Sequence, residues 1–216
     1  MTKDYTVLIT AVDRPELHTN IIEGYLKYLN GVKCKWIITV NNISNKIDET
    51  VSNFYDLLKD QDYNIKTFTT GGSRLDWYNS VKYCINSAFE YKPNAGYIWL
   101  EDDWLYIPNE TIDKDLIFLE DSDSYISLAN RTEVSFNPSI WGTSLFKRLM
   151  VDSINKPEES LGKRYLAGDI TSPERICCPY PETTNVVDKF KTLNRFVDAG
   201  RSWQNKTIKK RTFKLS

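Results

Sequence analysis

The amino-acid sequence predicts a single α/β domain with a Rossmann-like, mostly parallel central sheet flanked by helices. Over the first 100 residues, short runs rich in β-branched residues alternate with longer segments whose apolar residues recur at helical spacing, as in successive strand and helix units. The run GYIWL (96–100) is apolar on both faces, as expected of a central parallel strand covered by helices. A chain of 216 residues has room for one sizeable core.

Turn signals separate these elements. The predicted strands are YTVLITAV (5–12), KCKWIITVNN (33–42), IKTFTT (65–70) and GYIWL (96–100). The predicted helices are ELHTNIIEGYLKYL (16–29), ETVSNFYDLLKD (49–60) and SRLDWYNSVKYCINSAFEY (73–91). Pro15 follows the first strand, and Gly71 and Gly72 interrupt the third, so we expect the chain to turn at both points.

Beyond residue 110 the alternation weakens. DSYISLAN (123–130) is predicted to be a strand, and VSFNPSIWGTSLFKRLMVD (134–152) leads from a strand or turn through Asn137 and Pro138 into a helix. The stretch 156–184 is rich in Pro, Gly and charge. We therefore expect the second half of the chain to be less regular than the first.

The composition excludes several classes of protein. No apolar run approaches the roughly 20 residues of a membrane span, and the N-terminus lacks the apolar region of a signal peptide, so we expect a cytoplasmic protein, in the host cytoplasm if it is viral. The cysteines show neither metal-ligand spacing nor a disulfide framework, and we expect reduced thiols at Cys34, Cys84, Cys177 and Cys178.

Charge is distributed unevenly along the chain. Residues 186–216 contain nine Lys or Arg and two Asp, a net charge of +7, which leaves −8 on the first 185 residues. This basic C-terminal segment favours a polyanionic or phosphate-bearing partner. A solvated helix followed by a frayed terminus is the alternative.

An acidic triplet, Glu101, Asp102 and Asp103, follows the apolar strand GYIWL directly. In Rossmann-like sheets, ligands bind beyond the carboxyl ends of the strands, which is where this triplet lies. Neighbouring carboxylates repel one another unless solvent or a cation offsets their charge. Mg²⁺ and Mn²⁺ favour such oxygen ligands and bind through one or two carboxylates together with substrate phosphates. The triplet therefore predicts a metal-assisted phosphate site, with an ordinary surface turn as the alternative.

Several segments resemble those of GT-A fold glycosyltransferases. LEDDW (100–104) resembles their DxD-type metal site, with Glu101 and Asp103 in the outer positions, and ITAVDRP (9–15) is similar to their opening nucleotide-binding segment. Further similarity is found in GGSRLDWYNSVKYCINSA (71–88), FNPSIWGTSLFKRL (136–149) and VDAGRSW (197–203). The resemblance implies a donor-binding half at 1–110, an acceptor-side half at 111–185 and the basic C-terminal segment at 186–216.

The resemblance also implies roles for individual residues. Glu101 and Asp103 would bind Mn²⁺ or Mg²⁺, and Asp102 would contact the ribose or a metal-bound water. The donor-binding residues would also include Asp13, Arg14, Arg74, Asp76 and Arg201. Among these, Asp13 would bind the base or ribose, with a helix N-cap as the alternative. Arg74 and Asp76 would contact the ribose or phosphate, with a surface ion pair as the alternative, and Arg201 or another cation of the basic C-terminal segment would neutralise the leaving diphosphate.

The sequence offers three candidates for a catalytic base. An inverting enzyme needs a carboxylate to deprotonate the acceptor hydroxyl, and the candidates are Glu158, Glu159 and Asp169. A retaining enzyme needs no such base. Many GT-A enzymes supply a further metal ligand from a C-terminal His, but the single His here is His18, which we expect on the surface of the first helix.

The six tryptophans include core and site candidates. We expect Trp36 and Trp99 in the core, and Trp104 and Trp141 are the better candidates for a sugar site.

The predicted function is that of a metal-dependent glycosyltransferase, a hexosyl- or pentosyltransferase that uses a nucleotide-sugar donor, with UDP as the expected nucleotide. The acceptor would be a glycan, a protein or a modified DNA base, and the basic C-terminal segment favours DNA. Small transferases of this kind occur in viruses and bacteria. A nucleotidyltransferase is an alternative, although AVDRPEL (11–17) is not its usual Gly- and Lys-rich phosphate loop. A non-catalytic nucleotide- or sugar-binding module is another. The sequence does not set the oligomeric state.

Overall fold

The structure is a computed structural model that describes residues 3–68, 74–93, 95–108, 110–119, 124–129, 138–147 and 189–199, with the backbone alone at 74–78 and 189–190. The strands are β1 (Asp4–Val12), β2 (Lys33–Asn41), β3 (Asp62–Phe68), β4 (Gly96–Glu101), β5 (Trp104–Tyr106), β6 (Ser124–Ser127), β7 (Ser139–Trp141), β8 (Lys189–Thr192) and β9 (Phe196–Asp198). The helices are α1 (Pro15–Tyr28), α2 (Ile47–Leu58), α3 (Arg74–Tyr91) and α4 (Ile112–Leu116), and residues 143–147 are also helical.

The predicted α/β class and mostly parallel sheet are confirmed. Within the described residues, the main sheet has seven strands in the order β3-β2-β1-β4-β7-β6-β8. The first four are parallel neighbours, whereas β7 runs antiparallel to both β4 and β6. Strands β5 and β9 form a separate antiparallel pair. The carboxyl ends of β1 and β4 therefore lie side by side, with Thr10 opposite Glu101 in the register.

Two apolar layers cover the central strands. Val7 and Ile9 of β1 contribute to the larger cluster, together with apolar residues of α1 and α2, whereas Leu8 contributes to the cluster under α3. This division follows from the two-residue period of a strand, which sends successive side chains to opposite faces. Helices therefore cover both faces of β1, which explains why its sequence is almost continuously apolar.

The tryptophans show where the core prediction was right and where it was wrong. Trp36 and Trp99 are buried, as predicted. Trp104 and Trp141, which were predicted as site candidates, are also buried in the apolar clusters. Trp141 lies edge-on to Tyr125, and its Nε1 donates a hydrogen bond to Ser139 Oγ (2.8 Å). The error arose because an aromatic side chain next to a polar motif can pack inward as readily as outward.

Part of the basic C-terminal segment is folded against the domain. β8 extends the main sheet beside β6, and β9 pairs with β5. Residues 189–199 are thus strands and connections rather than the solvated helix that was the alternative. None of the helices in the described part of the chain combines the length and the apolar composition that a transmembrane helix requires. Both described cysteines, Cys34 and Cys84, are free and buried, and burial raises the pKa of each thiol to about 12.

Candidate active site at the end of the fourth strand

The acidic triplet forms the end of β4 and the turn into β5. Glu101 is the last residue of the strand, and Asp102 and Asp103 make the turn. The Tyr25 hydroxyl of α1 donates a hydrogen bond to the Glu101 carbonyl oxygen. On the other side, the Ala199 N–H donates to the Asp103 carbonyl oxygen at 2.7 Å. The turn is therefore held between the first helix and the C-terminal strand.

Asp102 faces inward, toward the start of α1. Its carboxylate is buried and accepts hydrogen bonds from the Val12 N–H (3.0 Å), Arg14 Nη2 (2.7 Å) and His18 Nε2 (3.1 Å). Burial alone would raise the pKa of Asp102, but the Arg14 charge and the His18 hydrogen bond lower it overall. Asp102 therefore stays ionised and ties the ends of β1 and β4 to α1.

His18 corrects a sequence-based expectation. It was predicted to lie on the surface, but it is fully buried, with its ring 4.9 Å from that of Phe54. The helical spacing of His18 with Ile21, Ile22 and Tyr25 contained the signal, because these residues share the buried face of α1. Its bond to Asp102 places the proton on Nε2, so His18 supports the acidic turn from inside the protein.

Arg14 is the cation of this inward network. It is only 6% exposed, and its Nη2 is also 3.5 Å from Asp103 Oδ2. Burial alone would lower the pKa of Arg14, but Asp102 and Asp103 raise it overall, so the guanidinium stays charged. Asp102 thus compensates much of the positive charge of Arg14. Arg14 also connects the acidic turn to the end of β1, where the sequence predicts donor binding.

Asp103 faces a different environment. Its side chain is 25% exposed, in contrast to 5% for Asp102. Burial and the neighbouring charge of Asp102 raise the pKa of Asp103 to about 7; Arg14 opposes this increase and Asp198 adds to it. The carboxylate is therefore one whose negative charge the protein offsets incompletely.

Asp198 was not among the residues predicted for the site. It pairs in register with Trp104 and is half-buried, so it lies next to Asp103 across the β5–β9 pair. The segment VDAGRSW had been singled out by resemblance, but Arg201 was selected from it rather than Asp198. No local pattern showed that this segment pairs with β5, because the two strands are far apart in the chain.

Asp13 holds the loop that leads into α2. Oδ1 accepts from the N–H groups of Ile43 (2.6 Å) and Ser44 (2.8 Å), and Oδ2 accepts from those of Ser44 (2.9 Å) and Lys46 (2.8 Å). These bonds use about all the acceptor sites of a carboxylate. The N-cap of α1 is Arg14, so Asp13 is not the cap of that helix. Its contact with a donor stays a prediction, and its observed role is to shape the loop.

Three of the other predicted site residues lie in the described part of the chain, and four lie outside it. Arg74 and Asp76 lie in the first turn of α3, which follows β3. The alternation along β4 places Glu101 on the same face as Trp99, toward α3, and its side chain is partly exposed. The remaining predicted site residues lie outside the described residues: Glu158, Glu159, Asp169 and Arg201.

The described residues fit a cation that shares its ligands with a substrate. No group of three His, Cys, Asp or Glu side chains in the described part of the chain is arranged to hold a metal by itself. Mg²⁺ and Mn²⁺ need only one or two carboxylates when phosphates and water complete the shell. Asp103 and Asp198 supply two partly exposed carboxylates of this kind. Asp102 does not fit this role, because Arg14 and His18 engage it.

Comparison with known proteins identifies the fold. No family model and no curated protein sequence matches the chain. Solved structures do match: S. aureus TarS 1–349 is 12% identical, with a TM-score of 0.58, over 91% of this chain and 60% of that one. The mannosyltransferase PcManGT from Pyrobaculum calidifontis, in complex with GDP-Man and Mn²⁺, is 12% identical, with a TM-score of 0.50, over 69% and 47%.

A third solved structure supports the same conclusion. The galactosyltransferase LgtC in complex with donor and acceptor sugar analogs is 9% identical, with a TM-score of 0.51, over 87% of this chain and 72% of that one. The chain spans about half to three fifths of the length of TarS 1–349 and PcManGT. At such low identity the likeness concerns the fold, and the fold is GT-A.

Proposed function

We propose that this chain is a metal-dependent glycosyltransferase that moves a sugar from a nucleotide-sugar donor to an acceptor hydroxyl group. The observation that carries the proposal is the pair of partly exposed carboxylates, Asp103 and Asp198, at the carboxyl end of β4 in a GT-A fold. That edge of a Rossmann-like sheet is where ligands bind. Carboxylates at that edge repel the negative charges of a diphosphate unless a cation lies between the carboxylates and the diphosphate.

Asp103 and Asp198 would hold Mn²⁺ or Mg²⁺ together with the donor diphosphate. Bound there, the cation would stabilise electrostatically the charge that develops on the leaving diphosphate. Asp102 fixes the turn from the inside through Arg14 and His18, so that Asp103 keeps its place. Glu101, the other predicted ligand, remains a candidate on the α3 side of the strand.

The donor would lie along the ends of β1 and β4. Arg74 and Asp76 belong to the first turn of α3, where a helix N-terminus favours phosphate. Arg201 comes two residues after Ala199 in the sequence, and we propose that it neutralises the leaving diphosphate.

UDP is the proposed nucleotide. A TarS structure with 10% identity and a TM-score of 0.54 is in complex with UDP, whereas PcManGT holds GDP-Man, so proteins of this fold bind both nucleotides. We propose a hexosyl or pentosyl group as the transferred sugar and a glycan or DNA as the acceptor. Glu158, Glu159 and Asp169 are the candidate bases if the reaction inverts the anomeric centre.

Isothermal titration of UDP, GDP, CDP and TDP sugars, with and without Mn²⁺, tests this function. We expect wild type to bind one nucleotide class only when Mn²⁺ is present, and Asp103→Ala to lose that binding. Lys35→Met is the matched control, because it breaks a surface ion pair with Asp62 (3.2 Å). If wild type binds none of the sugars, or if Asp103→Ala binds as well as wild type, the proposal is wrong.

The two alternatives make different predictions for the same preparation. A glycosyltransferase transfers the sugar of the bound donor to an acceptor, or slowly to water, and releases the nucleoside diphosphate. A nucleotidyltransferase instead joins a nucleoside triphosphate to a sugar phosphate and releases pyrophosphate. A binding module releases neither product. Chromatography of the nucleotides after prolonged incubation with Mn²⁺ separates the three.

A further inference from the structure

A partly buried ion pair lies outside the site described above, where residues 189–199 cross between the two sheets. Arg195 lies between β8 and β9. Its N–H donates to the Leu128 carbonyl (2.8 Å), and its carbonyl accepts the Ile107 N–H (2.8 Å). The backbone of Arg195 is thus bonded on both sides of the crossing.

The side chain of Arg195 forms a bidentate pair with Asp115 of α4. Arg195 Nε is 2.9 Å from Asp115 Oδ2, and Nη2 is 2.7 Å from Oδ1. Asp115 is fully buried, and its Oδ2 also accepts a hydrogen bond from the Tyr28 hydroxyl at 2.7 Å. Burial, followed by the charge of Asp115, raises the pKa of Tyr28 well above its usual value, so the phenol remains a donor. The pair thus joins the crossing to both α4 and α1.

The next residue, Phe196, adds an apolar anchor. Its ring centroid lies 5.5 Å from that of Tyr25, 5.2 Å from that of Tyr28 and 5.7 Å from that of Tyr106. Aromatic packing of this kind stabilises the strand but is tolerant of small shifts along it. The bidentate geometry of Arg195 and Asp115 is directional, so it is better suited to select one position.

Register matters here because β9 is short. A three-residue strand has few ladder hydrogen bonds with which to specify its own pairing. A slip of one residue sends every side chain of a strand to the opposite face. In the observed register Asp198 pairs with Trp104, and exposed Val197 pairs with exposed Leu105 on the other face. A slip would therefore remove the Asp198 carboxylate from the neighbourhood of Asp103.

We propose that Arg195 is a positioning residue: its pair with Asp115 sets the register of β9 and thereby holds Asp198 beside Asp103. The register itself is independent of any ligand. The consequence for donor binding rests on the proposed function. Buried ion pairs can often be replaced by apolar side chains without loss of stability, so specificity of position, rather than stability, is the contribution that we assign to this pair.

The test replaces the whole network by apolar residues of similar size: Arg195→Met, Asp115→Leu and Tyr28→Phe. The triple change removes the three side chains of this network together, rather than leaving one charged partner behind, so we expect the protein to fold. Hydrogen exchange of the Ala199 amide, followed by NMR, reports the register, because this N–H donates to the Asp103 carbonyl. We expect exchange at least roughly tenfold faster than in wild type, and an unchanged rate overturns the proposal.

Two further variants make the result decisive. Arg195→Lys keeps the charge but not the bidentate geometry, and we expect a smaller acceleration of Ala199 exchange in a protein that folds. Lys35→Met, at the surface pair with Asp62, is the control and should leave that rate unchanged. If Arg195→Lys also exchanges as slowly as wild type, the pair does not set the register.

Affinity for Mn²⁺ in the presence of UDP supplies a second measurement. Loss of a residue that orients a metal ligand typically weakens the metal by roughly 10- to 100-fold, and we expect that loss in the triple variant. If wild type binds no nucleotide with Mn²⁺, the proposed function fails, whereas the exchange rate of Ala199 still decides the register.

Discussion

Asp102 and Asp103 are adjacent in the chain but occupy opposite environments. Asp102 is turned toward α1, where Arg14, His18 and a backbone N–H satisfy it. Asp103 is turned toward β9, where the negative charge of a second carboxylate, Asp198, raises the pKa of Asp103 further. The pKa of Asp102 is lowered in consequence, and that of Asp103 is raised to about 7. One aspartate holds the turn from inside, and the other is partly exposed on the side where we propose that the donor binds.

This difference teaches how an acidic turn can be held firmly in place and still present one carboxylate toward solvent. Like charges at neighbouring positions repel, and a protein can relieve the repulsion by pairing only one of them internally. Arg14 does this for Asp102 at 2.7 Å and reaches Asp103 at 3.5 Å. Carboxylates whose pKa values are displaced in opposite directions mark a division of roles, which is the pattern of functional sites.

The largest expected effect comes from breaking the inward side. Asp102→Asn leaves the buried Arg14 charge without its main partner, and loss of one member of a buried ion pair typically costs about 3–5 kcal/mol. Urea unfolding at pH 7 measures the free energy of unfolding. This loss is a large fraction of a typical stability of about 5–15 kcal/mol.

Asp103→Asn is the matched comparison for that prediction. Since its folded pKa is raised from 3.8 to about 7, ionising Asp103 lowers the stability of wild type as pH rises through that interval. The variant should therefore be at least as stable as wild type at pH 8 and no more stable below pH 3.8. Equal destabilisation by the two variants at pH 8 would contradict the proposed division of roles.

The second effect concerns the outward side. Asp198→Asn removes one of the two carboxylates that we assign to the cation, and we expect Mn²⁺-dependent affinity for a UDP sugar to fall by at least roughly tenfold. The same change removes a like charge, so the pKa of Asp103 should decrease. Titration calorimetry and NMR of the carboxylate carbons measure the two consequences. A variant that binds Mn²⁺ and donor as tightly as wild type would exclude Asp198 from the site.

The third effect is the pH dependence of metal binding. A cation binds the deprotonated carboxylate, so affinity for Mn²⁺ should fall as pH decreases below about 7, by about tenfold per unit, and level off above that value. Measurements of Mn²⁺ affinity with UDP from pH 5.5 to 8.5 test this expectation. Asp103→Asn should bind weakly and lose the dependence near pH 7, and an unaltered profile in that variant would assign the titration to another group.

The smallest effect concerns the hydrogen bond from Tyr25 to the backbone at the end of β4. Tyr25→Phe removes the hydroxyl that donates to the Glu101 carbonyl, and a single hydrogen bond of this kind contributes about 0.5–1.5 kcal/mol. We expect that decrease in the free energy of unfolding, measured by urea titration, with little change in Mn²⁺ affinity. A large loss of Mn²⁺ affinity in a stable variant would show that Tyr25 positions Asp103 as well.

The sequence by itself determined the alternation of strands and helices over the first 100 residues and the location of the acidic triplet at the end of β4. Both depend on local periodicity, in which apolar side chains recur every two residues or at helical spacing. The same reasoning predicts that His18 is buried, because its spacing from Ile21, Ile22 and Tyr25 places it on the buried face of α1. That residue was misassigned because its type was given more weight than its place in the pattern.

Only the tertiary structure decided which aspartate of the triplet faces outward, and that Asp198 stands beside Asp103. The direction of a side chain in a turn depends on partners from other elements, here Arg14 and His18 of the α1 region. The pairing of β9 with β5 joins residues distant in the chain, and its strands are only three residues long. Such short segments carry too little local pattern to specify a partner, so packing and the Arg195–Asp115 pair supply what the sequence pattern does not.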